Sequence, residues 1–281
     1  MGGTTDRPGQ GAATALVLAG SRGPGDPVAR AAGVGHKALA PVAGRPMILR
    51  VLDALEQSGE VGPIAVVIEA GADLSSVPEL ATMFDEGRLL RFDAASGPAA
   101  SVAEALKRLD TQAPVLVTTA DHPLLSPQMI AEVLRGAPRE AAVTVAVTPA
   151  EVVRGCYPGS VRTFYRFGKD AVSGCNLFVL RGHEARRAVA FWQTIEGARK
   201  RPWRMVAALG PVTLAAFLAG RLSLEGALAR LSRRLGVPLG VVRLAIAEAA
   251  IDVDRPEDLA LVERILTERE AGDGASRRSG D

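Results

Sequence analysis

Short runs rich in Val, Leu and Ile alternate along the chain with segments whose apolar residues recur at helical spacing. Residues 15–19, 64–69, 89–92, 115–119, 141–147, 176–180 and 242–247 read as strands. Between them the 3.6-residue period predicts helices over 46–57, 101–109, 127–134, 184–196 and 256–269, several opening on Ser or Pro as helix starts do. Strand runs this apolar suit burial on both faces, and their alternation with helices is the βαβ rhythm of a Rossmann-like α/β fold: a mostly parallel sheet sandwiched by helices. Ligands in such sheets bind outside the carboxyl ends of the strands. Two places therefore stand out, the loop after Ala19 and the turn after Thr119.

Residues 205–235 break the rhythm with two or three helical segments, around 205–219 and 224–235, interrupted at Gly210-Pro211 and Gly220. This predicts a helical insertion over about 184–236, before the last strand. Residues 1–12 and 271–281 are Gly, Ser and charged residues without periodicity and are expected to be disordered, leaving one domain over 13–270.

Composition narrows the class. With 281 residues, 48% apolar and 23% charged, the chain is expected to be soluble and globular, large enough for a sheet covered on both sides. Its two cysteines, Cys156 and Cys175, are too few for a disulfide scaffold or a structural zinc site and suit a reducing cytoplasm as ordinary thiols. The start of the chain carries no export signal, so a cytoplasmic location is expected. The longest uncharged stretch, 205–220, has 16 residues broken by Gly-Pro, short of the roughly 20 that span a bilayer.

Charge is uneven: residues 181–243 hold twelve Lys and Arg against three Glu, a local balance of +9. A solvated helical face accounts for such a block, as does a surface for nucleic acid, an anionic membrane or a phosphorylated substrate. Aromatics are few, which argues against RNA. Arg199-Lys200-Arg201-Pro202-Trp203-Arg204, beside an apolar stretch, instead suggests a lid supplying cations to a phosphorylated acceptor, a peripheral membrane contact, or a helical dimer element.

Three motifs carry the chemistry. Leu18-Ala19-Gly20-Ser21-Arg22 closes the first strand, and Lys37 opens Lys37-Ala38-Leu39-Ala40-Pro41 fifteen residues after the arginine. Glycines in this loop let backbone N–H groups approach a ligand, while Arg22 and Lys37 place cations where polyphosphate charge would sit. Val115–Thr119 runs into Ala120-Asp121-His122-Pro123, where a rigid strand end and a proline aim Asp121 at one point, as a hard oxygen ligand for Mg²⁺ requires. A helix cap or turn is the plainer role for such an aspartate. In Ile251-Asp252-Val253-Asp254-Arg255-Pro256, alternation points Asp252 and Asp254 the same way, so both could face one ion.

In this order the three motifs resemble the signature of the MobA-like NTP transferases, the molybdenum-cofactor guanylyltransferase-like group of GT-A-type fold. The resemblance implies an Mg²⁺-dependent nucleotidyltransferase that joins NMP from an NTP, GTP or CTP, to a phosphorylated acceptor and releases pyrophosphate. Asp121 would then be the family's metal-binding aspartate, with Asp252 as first and Asp254 as second choice to complete the site. Leu18, Ala19, Gly20, Ser21, Arg22 and Lys37 would hold the nucleotide, Lys37 and Arg22 acting in catalysis. Gly97 and Ser101, in Ser96-Gly97-Pro98-Ala99-Ala100-Ser101, match the Gly-rich turn that contacts the base, with Ser101 either bonding the base or capping a helix. Asn176 corresponds to an acceptor loop, and Arg199 and Arg201 join it as candidate acceptor cations.

The chain departs from the family pattern in having Ser21 where a second glycine is usual, a longer loop containing Arg30 and His36, and Arg255 in place of threonine. The extra arginine leaves open whether Arg22 or Arg30 meets the triphosphate. Two other classes remain: a GT-A glycosyltransferase, which generally carries Asp-x-Asp after the central strand where this chain has Asp121-His122-Pro123, and a non-catalytic nucleotide-binding regulator.

Overall fold

The computed structural model describes residues 12–21, 23–110, 112–196 and 210–278. The strands are β1 (Ala13–Leu18), a small antiparallel ribbon of β2 (Pro41–Val42) and β3 (Arg45–Pro46), then β4 (Val61–Ile68), β5 (Leu89–Asp93), β6 (Val115–Thr119), β7 (Val143–Pro149), β8 (Tyr165–Phe167), β9 (Asp170–Leu180) and β10 (Leu239–Arg243). The main sheet runs β10-β7-β9-β6-β1-β4-β5, with β8 on β9. Its pairings are parallel except those of β9, which is antiparallel to β6, β7 and β8. The carboxyl ends of β1, β4, β5 and β6 and the amino-terminal half of β9 therefore share one edge.

The helices are α1 (Pro27–Ala31), α2 (Met47–Ser58), α3 (Pro78–Asp85), α4 (Pro98–Arg108), α5 (Pro127–Gly136), α6 (Ala150–Cys156), α7 (Ala185–Ile195), α8 (Pro211–Leu218), α9 (Leu224–Leu235) and α10 (Pro256–Arg278). One face of the sheet is covered by α2, α3 and α5 through Leu52, Leu80 and Ile130, and the other by α4 and α7 through Val102, Leu106 and Val189. Central β1 is buried nearly throughout, which is why its sequence is a continuous apolar run without alternation. Within the insertion, α8 and α9 pack over β8 and β9, where Phe217 meets Phe167 edge-on. Among the described residues no helix is long and apolar enough to cross a membrane.

The expected fold class holds, with local differences. The strand predicted from Asn176 begins at Asp170 and runs antiparallel, because polar residues at its start pair with β7 and β8 rather than forming a turn. The strand predicted at 242–247 is Leu239–Arg243; its ladder with β7 ends at Arg243, and the apolar residues beyond it form a 3₁₀ turn, Ala247–Ala250, that crosses the end of the sheet. Helices α1, α3 and α6, of five, eight and seven residues, show no legible period. The last helix continues to Arg278 through a segment expected to be disordered, having no proline after Pro256 to stop it.

Candidate active site

A cavity of about 760 Å³ opens at the carboxyl edge of the sheet. Its frame is backbone. The Ala19 N–H donates to Val67 O at 2.8 Å and the Ala120 N–H to Leu18 O at 2.9 Å, fixing the exits of β1, β4 and β6 against one another. The Val253 N–H donates to Asp121 O at 2.8 Å, tying the closing acidic segment to the turn after β6. Ile251 and Val253 are buried while Asp252 and Asp254 line the cavity, the alternation that the sequence predicts, although this segment is not paired in the sheet. His122, fully buried, reaches Glu248 O at 3.2 Å through Nε2. Burial pushes its pKa down to about 4, so it stays neutral and fastens the Asp121 turn to the 3₁₀ turn.

Lys37 stands at the centre. Its Nζ lies 2.5 Å from Asp121 Oδ2 and 3.3 Å from Asp254 Oδ1, with the side chain only 12% exposed. Burial works to discharge this ammonium, yet Asp121 and then Asp254 outweigh it and hold its pKa above the usual value. The loop before it folds into α1, whose N-terminus is capped by buried Asp26 through the Val28 and Ala29 N–H groups, so the extra length is compact structure.

Asp252 is held differently. Asn176 Nδ2 donates to its Oδ2 at 2.9 Å, and Arg162 Nη1 donates to its Oδ1 at 2.7 Å and to its carbonyl at 2.8 Å. Arg162 Nη2 continues to Asp258 Oδ1, and the other oxygen of Asp258 accepts from the Asp254 and Arg255 N–H groups at the start of α10. Asn176 sits at φ 50° within β9, where the register with β7 shifts between Val145 and Val147. This bulge turns the amide toward Asp252.

On the β4 side, Glu69 Oε1 accepts from the Ser21 N–H at 2.6 Å and Oε2 from His36 at 2.9 Å. His36 Nδ1 accepts from the Ala38 N–H, which leaves the ring proton on Nε2 for Glu69. Against the burial that would raise it, these bonds keep the Glu69 carboxyl below its ordinary pKa. Across the cavity Ser101 is buried, and its Oγ accepts from the Ala95 N–H at 3.0 Å.

The donor set fits a magnesium ion. Asp121 Oδ1 is buried without a hydrogen-bond partner among the described residues, and burial followed by the like charges of Asp121 and Asp254 pushes the Asp252 carboxyl up to about 6. Crowded hard oxygens with an open lone pair are what a small divalent cation relieves. No three His, Cys, Asp or Glu side chains among the described residues form a ready-made cage. Mg²⁺ needs only one or two carboxylates when phosphates and water supply the rest.

Of the residues singled out in the sequence, Leu18, Gly20, Ser21, Lys37, Gly97, Ser101, Asp121, Asn176, Asp252 and Asp254 line this cavity. Ala19 does not: it is buried and contributes only backbone to the frame. Ser101 holds the Ala95 turn instead of capping α4, whose N-cap is Gly97. Asn176, read as an acceptor contact, bonds Asp252. Arg30 is exposed on α1 and is absent from the cavity wall, and His36, read as an incidental neighbour of Lys37 or a phosphate contact, is a buried partner of Glu69. Arg22, Arg199 and Arg201 lie outside the described residues. Sequence reasoning passed over Glu69, Arg162 and Glu196 as site residues and read Trp192 only as an aromatic beside the basic run. Glu69 and Glu196, at the ends of a predicted strand and a predicted helix, carried a signal of their positions, and Arg162 carried none.

The MobA-like NTP transferase domain matches residues 15–237. No curated protein matches the chain by sequence. Among solved structures, a hypothetical transferase from Thermus thermophilus superposes with a TM-score of 0.72 at 33% identity, covering 88% of this chain and 99% of its own. A 4-diphosphocytidyl-2C-methyl-D-erythritol synthase from Anaerococcus prevotii gives a TM-score of 0.54 at 15% identity, over 91% of this chain and 96% of its own. A CMP:2-keto-3-deoxy-manno-octonic acid synthetase in complex with CTP gives 0.54 at 13% identity, over 92% and 98%. At these identities the last two speak for the fold alone. With the family domain spanning most of the sheet and the Lys37–Asp121 centre at its carboxyl edge, the chain belongs to the MobA-like NTP transferase family and is a nucleotidyltransferase.

Proposed function

We propose that the protein transfers NMP from GTP or CTP to a phosphorylated small-molecule acceptor with release of pyrophosphate, in an Mg²⁺-dependent reaction. One observation carries this reading: a largely buried ammonium, Lys37, held by Asp121 and Asp254 beside an Asp121 Oδ1 that has no partner among the described residues, in the wall of a nucleotide-sized cavity. The family domain over residues 15–237 supports a nucleoside triphosphate as the donor.

Phosphoryl-type transfer asks a protein for positioning and charge neutralisation more than for covalent chemistry. An acceptor phosphate oxygen attacks the α-phosphorus, the bond to the bridging oxygen of the β-phosphate breaks, and pyrophosphate leaves with the electron pair. Lys37 neutralises charge at the α-phosphate or acceptor, and Arg22 takes the departing pyrophosphate. Asp121 and Asp252, with Asp254 as alternative, would hold the magnesium, which when bound screens the phosphate oxygens and so lowers the cost of bringing two anions together. Asn176 and Arg162 orient Asp252. The acceptor's phosphate is assigned to Arg199 and Arg201. Excess EDTA is expected to stop pyrophosphate release and added Mg²⁺ to restore it; turnover that persists in the chelator contradicts the metal assignment.

A further inference from the structure

We infer that Glu69 and His36 form a relay that positions Lys37, an inference that rests on the nucleotidyl-transfer reading above. Lys37 opens a 3₁₀ turn, Lys37–Leu39, and His36 is the N-cap of that turn, its Nδ1 accepting from the Ala38 N–H at 3.2 Å. A ring nitrogen that accepts carries no proton, so the ring's proton sits on Nε2 and is donated to Glu69 Oε2 at 2.9 Å. With 8% of the His36 side chain exposed, water is a poor substitute for either bond.

Each bond selects the other. An ionised carboxylate only accepts, so Glu69 admits the tautomer protonated on Nε2, and that is the one neutral tautomer able to cap the turn. Capping alone is done well by Asn, Asp or Ser; a histidine held through its second nitrogen makes the cap depend on Glu69. Glu69 is itself anchored, standing directly after β4 with Oε1 accepting from the Ser21 N–H at 2.6 Å. One side chain thereby ties the start of the loop, at Ser21, to its end, at His36, and closing the loop from a single point narrows the positions open to the residue that follows. That residue is Lys37. Asp121 and Asp254 fix its ammonium, and the relay fixes the backbone from which the ammonium is reached.

Glu69→Gln isolates the point. The Ser21 N–H holds the amide oxygen, so the amide NH₂ faces Nε2, drives the ring proton onto Nδ1 and breaks the cap. ¹⁵N NMR of the histidine rings in the full-length protein without substrate, with His36→Asn to assign the signal, is expected to show the proton on Nε2 in the wild type and on Nδ1 in Glu69→Gln. In pyrophosphate release from GTP and CTP with phosphorylated acceptors and Mg²⁺, Glu69→Gln should lower kcat about ten-fold, the weight of one hydrogen bond, without raising the KM of the NTP. Adding His36→Asn, whose amide oxygen caps the turn whatever stands at position 69, should restore most of the loss. On a Lys37→Ala background Glu69→Gln should have little further effect on kcat, since the group it positions is gone. An unchanged tautomer in Glu69→Gln, or a full ten-fold loss on top of Lys37→Ala, overturns the relay, and a raised KM with kcat unchanged would make Glu69 a nucleotide contact instead. The tautomer is read without turnover, so a wild type that releases no pyrophosphate overturns the transfer reading and not the relay.

Discussion

Lys37 is the residue on which the proposed chemistry turns. Burial disfavours its charge, and it is kept protonated by Asp121 and Asp254, so the cation is already in place before substrate arrives. Such preorganised charge acts on the transition state more than on binding. Lys37→Ala is expected to lower kcat/KM by about 10² or more, measured by steady-state pyrophosphate release, whereas a change confined to KM would make it a binding residue only. Arg162 shows how much depends on residues that never meet substrate. Its side chain is 6% exposed and bonds both Asp252 and Asp258, so Arg162→Ala leaves two carboxylates short of their cation and should cost about 3 kcal/mol of stability in a denaturant titration. Arg162→Lys should recover stability in part and turnover poorly, since one ammonium cannot reproduce the fork whose Nη1 bonds Asp252 and whose Nη2 bonds Asp258. Equal recovery of both would make Arg162 purely structural.

Among the elements, β9 does most to shape the site. It is the antiparallel strand in an otherwise parallel sheet, and its bulge places Asn176 at φ 50° with the amide on Asp252. Asn176→Gly keeps the backbone conformation and removes the amide, so the melting temperature should change little while kcat falls about ten-fold. A fall in both, or in neither, would remove Asn176 from the positioning of Asp252. The strand's position was half legible from its apolar run, but its direction and bulge were not: both arise from pairing with β7 and β8, which local periodicity does not encode. The same limit explains the site residues that were missed. Asp252 and Asp254 were readable because the apolar residues between and before them, Ile251 and Val253, alternate with period two, whereas Arg162 reaches Asp252 from a segment with no such alternation to follow, 90 residues away in sequence. The Asp26-Pro27 start of α1 did carry a cap signal, obscured because five residues are too few to show a helical period.

At the scale of the whole molecule, charge is partitioned between an acidic reaction centre and a basic insertion. Part of the charge of the basic stretch 181–243 is neutralised within the fold, since Arg243 at the end of β10 bridges Asp170 of β9 at 3.0 Å and Glu225 of α9 at 2.7 Å. The alternation of strands and helices sufficed to foresee the layered sheet and the edge where the site lies, because that architecture follows from repeated local pattern. The basic segment around Arg199 and Arg201, to which the proposed function assigns the acceptor, has no such pattern in its sequence. Replacing Arg199, Lys200, Arg201 and Arg204 together with Gln should raise the acceptor KM several-fold and spare NTP affinity, measured by titration; loss of NTP affinity alone would place this block at the nucleotide. The decisive experiment is a pyrophosphate-release screen of the four NTPs against a panel of phosphorylated acceptors with Mg²⁺, run in parallel on the wild type and Asp121→Asn. Acceptor-dependent pyrophosphate from the wild type, matched by NMP attached to the acceptor and reduced at least about 10²-fold in Asp121→Asn with an unchanged melting temperature, is the expected result. Pyrophosphate release from Asp121→Asn at the wild-type rate, or none from the wild type with any pair, would contradict it.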